Sequence, residues 1–176
     1  IEKAGIPLIL IDRDIYNFPK RSNFDIVCLD NFSAGCIMAQ HLIDQGCTHI
    51  HFFYRPDSAN SVNMRLSGIK EMVQQNKLPF GKTGIICAND STAAVLMSTL
   101  TDIGLQISED LLICAYDNMK YSMHLKHSLT SFKQPCEEIA NVSVELMFRR
   151  INRINAFPVT VNLAGEIVIR DSSKFG

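Results

Sequence analysis

Two apolar runs in this chain stop in the same way: Gly84 to Ala88 ends on Asn89 and Asp90, and Leu111 to Tyr116 ends on Asp117 and Asn118. Between them, Ser91 to Leu105 carries Ala93, Leu96, Met97 and Leu100 at helical spacing, with Gly104 near its end. The stretch predicts strand, helix, strand, with polar groups where each strand stops. In an open parallel sheet the ligand crevice lies beyond the carboxyl ends of the strands, where the backbone opens into loops and helix N-termini point inward. Carboxylate and amide side chains at that edge suit a ligand rich in hydroxyls.

The rest of the chain repeats the alternation. Ile6 to Ile11 is an aliphatic run ended by Asp12, Arg13 and Asp14. Asp25 to Leu29 reads as the next strand, followed by a helix with Cys36, Ala39, Leu42 and Ile43 on one face and Gly46 past its end. His49 to Tyr54 predicts a third strand, and the helix after it places Val62, Leu66, Ile69 and Val73 on an apolar stripe. Met119 to Lys126 reads as a short helix and Leu129 to Lys133 as an extended piece. Pro135 then opens a long helix with Ile139, Val142, Leu146 and Ile151 inward. Val159 to Leu163 and Ile167 to Ile169 close the chain as strands. Strands alternating with helices specify an α/β fold with parallel sheets.

Composition narrows the function classes. The chain has 176 residues, 47% hydrophobic and 20% charged, with a formal net charge of -1. That is an ordinary soluble composition, and it lacks the basic patch of a nucleic-acid surface. The cluster Arg149, Arg150 and Arg153 is expected to be a solvated, dipole-complementing face near a helix end. Six cysteines without a C-x-x-C pair read as small buried hydrophobes. Metal and cofactor are expected to be absent, and so are catalytic signatures such as G-x-S-x-G, Walker A or G-x-G-x-x-G. With no membrane span and no export-type apolar region, the expected location is the cytoplasm.

Eight segments, in order, resemble the effector-binding domain of LacI/GalR-type transcription regulators. They are I-P-L-I-L-I-D-R-D (6–14), D-N-F-S-A-G with H-L-I-D-Q-G (30–46), H-I-H-F-F (49–53), M-R-L-S-G (64–68), I-I-C-A-N-D (85–90), L-L-I-C-A-Y-D-N (111–118), L-T-S-F-K-Q-P (129–135) and I-V-I-R-D-S (167–172). The resemblance implies a type I periplasmic-binding-protein-like fold: two parallel-sheet lobes joined by three crossovers, with the effector between them. It divides the chain into a partial N-lobe, 1–30 and 134–160, and a C-lobe, 31–133 and 161–176. It implies a non-enzyme, a homodimer and a sugar or sugar-like effector. Operator DNA would be held by a head outside this sequence, a helix-turn-helix or winged, GntR-type module.

The resemblance also carries a ligand-binding set: Asp12, Ser61, Arg65, Asn89, Asp117 and Gln134. Chemistry supports it independently, since carboxylates accept from neighbouring hydroxyls while Arg and Asn donate to sugar oxygens. Asp30, Asn31 and Asp90 are expected to cap helices instead. The connection Leu78 to Thr83 is shorter than the strand and helix the family places there. Arg55 is a candidate cation for an acidic ligand, set against a solvated loop. Two rival readings use the same residues: an exported solute-binding protein or sensor ectodomain, and, through Asp12-Arg13-Asp14, a haloacid-dehalogenase-like phosphatase.

Overall fold

In the computed structural model, residues 6–17, 19–76, 82–153 and 155–174 are described. The short connection expected at 78–83 falls mostly outside them. The two runs with polar ends form β4 (Lys82–Cys87) and β5 (Leu111–Tyr116), paired in parallel and joined through α3 (Asp90–Asp102). β5 is buried at every position and alternates between two faces, as strand geometry requires. Leu112, Cys114 and Tyr116 join one apolar cluster, and Leu111, Ile113 and Ala115 join another. The first cluster lies under α1 (Asn31–Asp44) and α2 (Asn60–Gln75), with Ala34, Met38, Leu42 and Ile69 packed into it. The second lies under α3, with Ala93 and Met97.

The larger sheet has the order β3-β4-β5-β6-β8, where β3 is Cys47–Phe53, β6 is Thr130–Lys133 and β8 is Glu166–Val168. β8 runs antiparallel to β6, an exception to the all-parallel expectation, because the chain returns to that edge by a tight two-residue link. The smaller sheet has the order β1-β2-β7, with β1 at Ile9–Ile11, β2 at Asp25–Leu29 and β7 at Thr160–Leu163. It packs against α4 (Cys136–Asn152). The chain thus passes between sheets three times: after β2, after β6 and after β7. Residues 161–163 pair with β2, so the last passage comes at Ala164 and Gly165 rather than after residue 160.

Several local expectations are corrected by packing. The buried positions of α2 are Ser61, Arg65, Gly68 and Ile69, not the full Val62–Leu66–Ile69–Val73 stripe. The reason is the closeness of α1: a Cβ on Gly35 would overlap the Arg65 carbonyl, and one on Gly68 would overlap the Phe32 carbonyl. Only glycines let the two backbones meet this way. Arg150 is buried rather than solvated, gripping Asp25 through Nε at 2.9 Å and Nη2 at 2.8 Å. Ile151 faces outward, and the Met119 to Lys126 stretch is a 3₁₀ turn over Lys120–His124. Cys28, Cys47, Cys87 and Cys114 are buried as expected, but Cys36 is half-buried and Cys136 is exposed. Gly46, at φ +85°, follows the end of α1 as the left-handed residue that terminates helices.

Candidate functional site

The carboxyl ends of β1, β4, β5 and β6 open onto one cavity of about 420 Å³, closed on its flanks by the first turns of α2 and α4. Asp12, Ser61, Arg65, Asn89, Asp117 and Gln134 all line it, so the structure brings the whole expected set together. Ile11, Val62, Cys136, Ile139 and Ala140 form its apolar part. A cavity with several convergent polar groups on an apolar wall is the usual form of a small-molecule site.

Both lining carboxylates sit on strained backbone. Asp12 has φ 76° and Asp117 has φ 105°, in the left-handed region that non-glycine residues rarely occupy. Sheet bonds hold each in place: the Asp12 amide donates to the Val27 carbonyl at 2.9 Å, and the Asp117 amide to that of Phe132 at 3.0 Å. Gln134, on the crossover after β6, donates from Nε2 to Asp117 Oδ1 at 3.0 Å. Burial pushes the Asp117 carboxyl above its usual value; the Gln134 bond and the Arg65 charge pull it back, while the charges of Asp90 and Asp12 add to the rise.

Arg65 is only 5% exposed, and its neighbours account for that. Its Nε donates to Asn31 Oδ1 at 2.8 Å, its Nη1 donates to the Ala88 carbonyl at 3.1 Å, and its guanidinium lies 4.3 Å from the Tyr116 ring centre. A buried cation stacked on an aromatic face and hydrogen-bonded on two nitrogens is fixed before any ligand arrives. Among the described residues, Nη2 has no protein partner. Asn31 in turn donates from Nδ2 to the Leu29 carbonyl at 3.0 Å, so it is a brace for Arg65 and not the helix cap expected. The cap of α1 is Asp30, accepting from the Ser33 amide at 3.0 Å.

The same one-residue offset applies at α3. Asn89 is its cap, with Oδ1 accepting from the Thr92 amide at 2.8 Å. Asp90 is fully buried instead, accepting from the Met119 amide at 2.7 Å, Ser122 Oγ at 2.5 Å and Ser131 Oγ at 2.6 Å. Ser131 Oγ also accepts from the Asn118 amide at 2.9 Å. Asp90 therefore anchors the turn that presents Asp117. Sequence reading missed Asn31, Asp90, Ser131 and Tyr116 as supports of the site; the one signal was a second polar residue following each strand-end cap.

Arg55, the candidate cation for an acidic ligand, is exposed and paired with Asp57 through Nε at 3.2 Å and Nη2 at 3.1 Å. It does not line the cavity. Asp14, needed by the phosphatase reading, is committed to a turn, accepting from the Tyr16 amide at 3.2 Å and the Ser22 amide at 2.9 Å. Among the described residues no group of three or more His, Cys, Asp or Glu is clustered to hold a metal ion.

A family profile described as a periplasmic binding protein-like domain matches residues 74–173. The chain belongs to the periplasmic binding protein-like domain family. A ribose operon repressor from Halalkalibacterium halodurans is 24% identical over 199 residues, covering 99% of this chain and 59% of that protein. An HTH-type transcriptional repressor PurR from Histophilus somni is 24% identical, covering 96% and 58%. The chain thus spans about three fifths of the length of these relatives. Among solved structures, a LacI family transcriptional regulator from Enterococcus faecium with bound ribose superposes with a TM-score of 0.84 at 24% identity, covering 98% of this chain and 72% of the other. That likeness fixes the α/β, type I periplasmic-binding-protein-like fold.

Proposed function

We propose that this chain is the effector-binding part of a LacI/GalR-type transcription regulator and that its cavity takes a sugar or sugar-like molecule. The observation that carries the reading is the convergence of Asp12, Ser61, Arg65, Asn89, Asp117 and Gln134 on one cavity. They come from strand ends of both sheets, from α2 and from a crossover, so a bound molecule bridges the lobes and favours one arrangement of them. Shifting such an equilibrium from mostly open to mostly closed requires a preference of about 5.5 kcal/mol. Each hydrogen bond contributes about 0.5–3 kcal/mol, so several must act together.

The repressor relatives support a regulatory role, and the ribose in the Enterococcus faecium regulator makes a pentose the first ligand to try. The reading includes a homodimer in the cytoplasm that contacts operator DNA through a separate head. An HTH-type head agrees with the relatives' names; a GntR-type head has no support among them. Six free thiols weigh against an exported solute-binding protein. Titration calorimetry of the protein with D-ribose, other sugars and nucleosides tests the reading. Saturable heat near the micromolar range, abolished by Asp117→Ala, is expected; silence from the whole panel with folded protein contradicts it.

A further inference from the structure

We infer that the cavity selects a hydroxyl-rich guest without negative charge and rejects its phosphorylated or carboxylated counterparts; this rests on the effector-binding reading above. The polar lining is rich in acceptors and short of cations. Asp12 accepts no hydrogen bond among the described residues, and its one ion pair is a long, exposed contact to Arg13 Nε at 3.7 Å. Asp117 accepts one bond, from Gln134. A carboxylate offers about four acceptor positions, so most of those on the two groups are left for the guest. An anionic group brings acceptors of its own and leaves these unmet.

Arg65 is the one cation lining the cavity among the described residues, and two of its five N–H donors are already committed to the protein. Bidentate recognition of phosphate or carboxylate uses two adjacent nitrogens of the guanidinium. The Nε/Nη2 edge of Arg65 is closed to such a grip because the single Nε hydrogen goes to Asn31, and Nη1 shares its donors with the Ala88 carbonyl. The remaining N–H groups, on Nη2 and Nη1, are left to donate to hydroxyl or ring oxygens. The Ser61 hydroxyl in the first turn of α2 adds a donor that carries no charge. The first turns of α2, α3 and α4 all reach the cavity, each equivalent to about half a positive charge, together less than the two facing carboxylates. Glu137 and Glu138 in the first turn of α4, beside Cys136, add to the negative field.

The test is calorimetry on matched pairs: D-ribose against D-ribose 5-phosphate and D-ribonate, and D-glucose against D-glucose 6-phosphate and D-gluconate. Within a pair that binds, the neutral member is expected to bind at least about tenfold tighter, with the gap narrowing at high salt. Asp12→Asn, which keeps side-chain shape at the left-handed position, is expected to narrow the same gap. An anionic member binding as tightly as its neutral partner overturns this inference but leaves the effector-binding reading standing. Failure of every member to bind overturns both.

Discussion

Asp117 carries a folding cost that the binding role proposed for it explains. Its carboxylate is desolvated, its backbone is at φ 105°, and its pKa is raised above the usual value of 3.8 by burial first. The folded chain therefore takes up a proton at Asp117 more readily than the unfolded chain, so the ionised group opposes folding at neutral pH and stops opposing it as pH falls. Binding has the opposite sign, since hydroxyl recognition uses the ionised form. We expect affinity to be full near neutrality and to fall on acidification from a higher pH than an ordinary aspartate would give, as read by calorimetry between pH 7 and 4. Asp117→Asn is expected to weaken binding by about 10–100-fold, the loss of one charged hydrogen-bonding group, while leaving thermal stability equal or higher. Lower stability with unchanged affinity would place the ligand elsewhere. Asp117 was legible in sequence because it ends an unbroken apolar strand. Asn31 and Asp90 were not, because each follows a residue that caps the same helix, and only the packed fold decides which of two adjacent polar residues turns inward.

At the scale of elements, the site depends on how closely α1 and α2 approach. Asn31 opens α1 and Arg65 lies in α2, so their 2.8 Å bond exists only while Gly35 and Gly68 keep the two helices in backbone contact. Gly68→Ala is expected to cost about 3 kcal/mol in urea denaturation, the upper end for overpacking, because the obstacle is backbone and cannot rotate away. The mutant should also bind more weakly, since Arg65 loses its brace. A shift below about 0.5 kcal/mol, the range of a neutral surface substitution, would show that the helices are not so confined. The helical period of α2 was readable, but its orientation only in part: of Val62, Leu66, Ile69 and Val73 only Ile69 is buried, and Ser61, the stacked Arg65 and Gly68 take the other buried positions. Runs such as β5 were readable because both faces are apolar, whereas the antiparallel pairing of β8 depends on which edge the returning chain reaches.

At the scale of the molecule, two sheets meet at one cavity, and its wall carries a reporter. Cys136 is exposed on that wall, while Cys47 and Cys87 are buried with thiols pushed up to about 11 and about 12. Burial raises Cys114 and Cys28 as well. Native-state titration with a thiol reagent is expected to modify Cys136 first, with bound sugar slowing that reaction and leaving the buried thiols inert. The alternation of strands and helices, and hence the α/β class with parallel sheets, was legible from apolar runs alone, while the two lobes came from the family resemblance; the passage at Ala164–Gly165 was legible from neither, because β7 and β8 differ in sheet but not in composition. The central claim is that both lobes hold the same guest. Hydrogen exchange read by mass spectrometry, with and without the tightest-binding sugar of the panel, tests it most directly. The account predicts slowed exchange at the β1 end around Asp12 together with the β5 end around Asp117 and the Gln134 crossover. Protection confined to one lobe, or centred on a different groove, would contradict it.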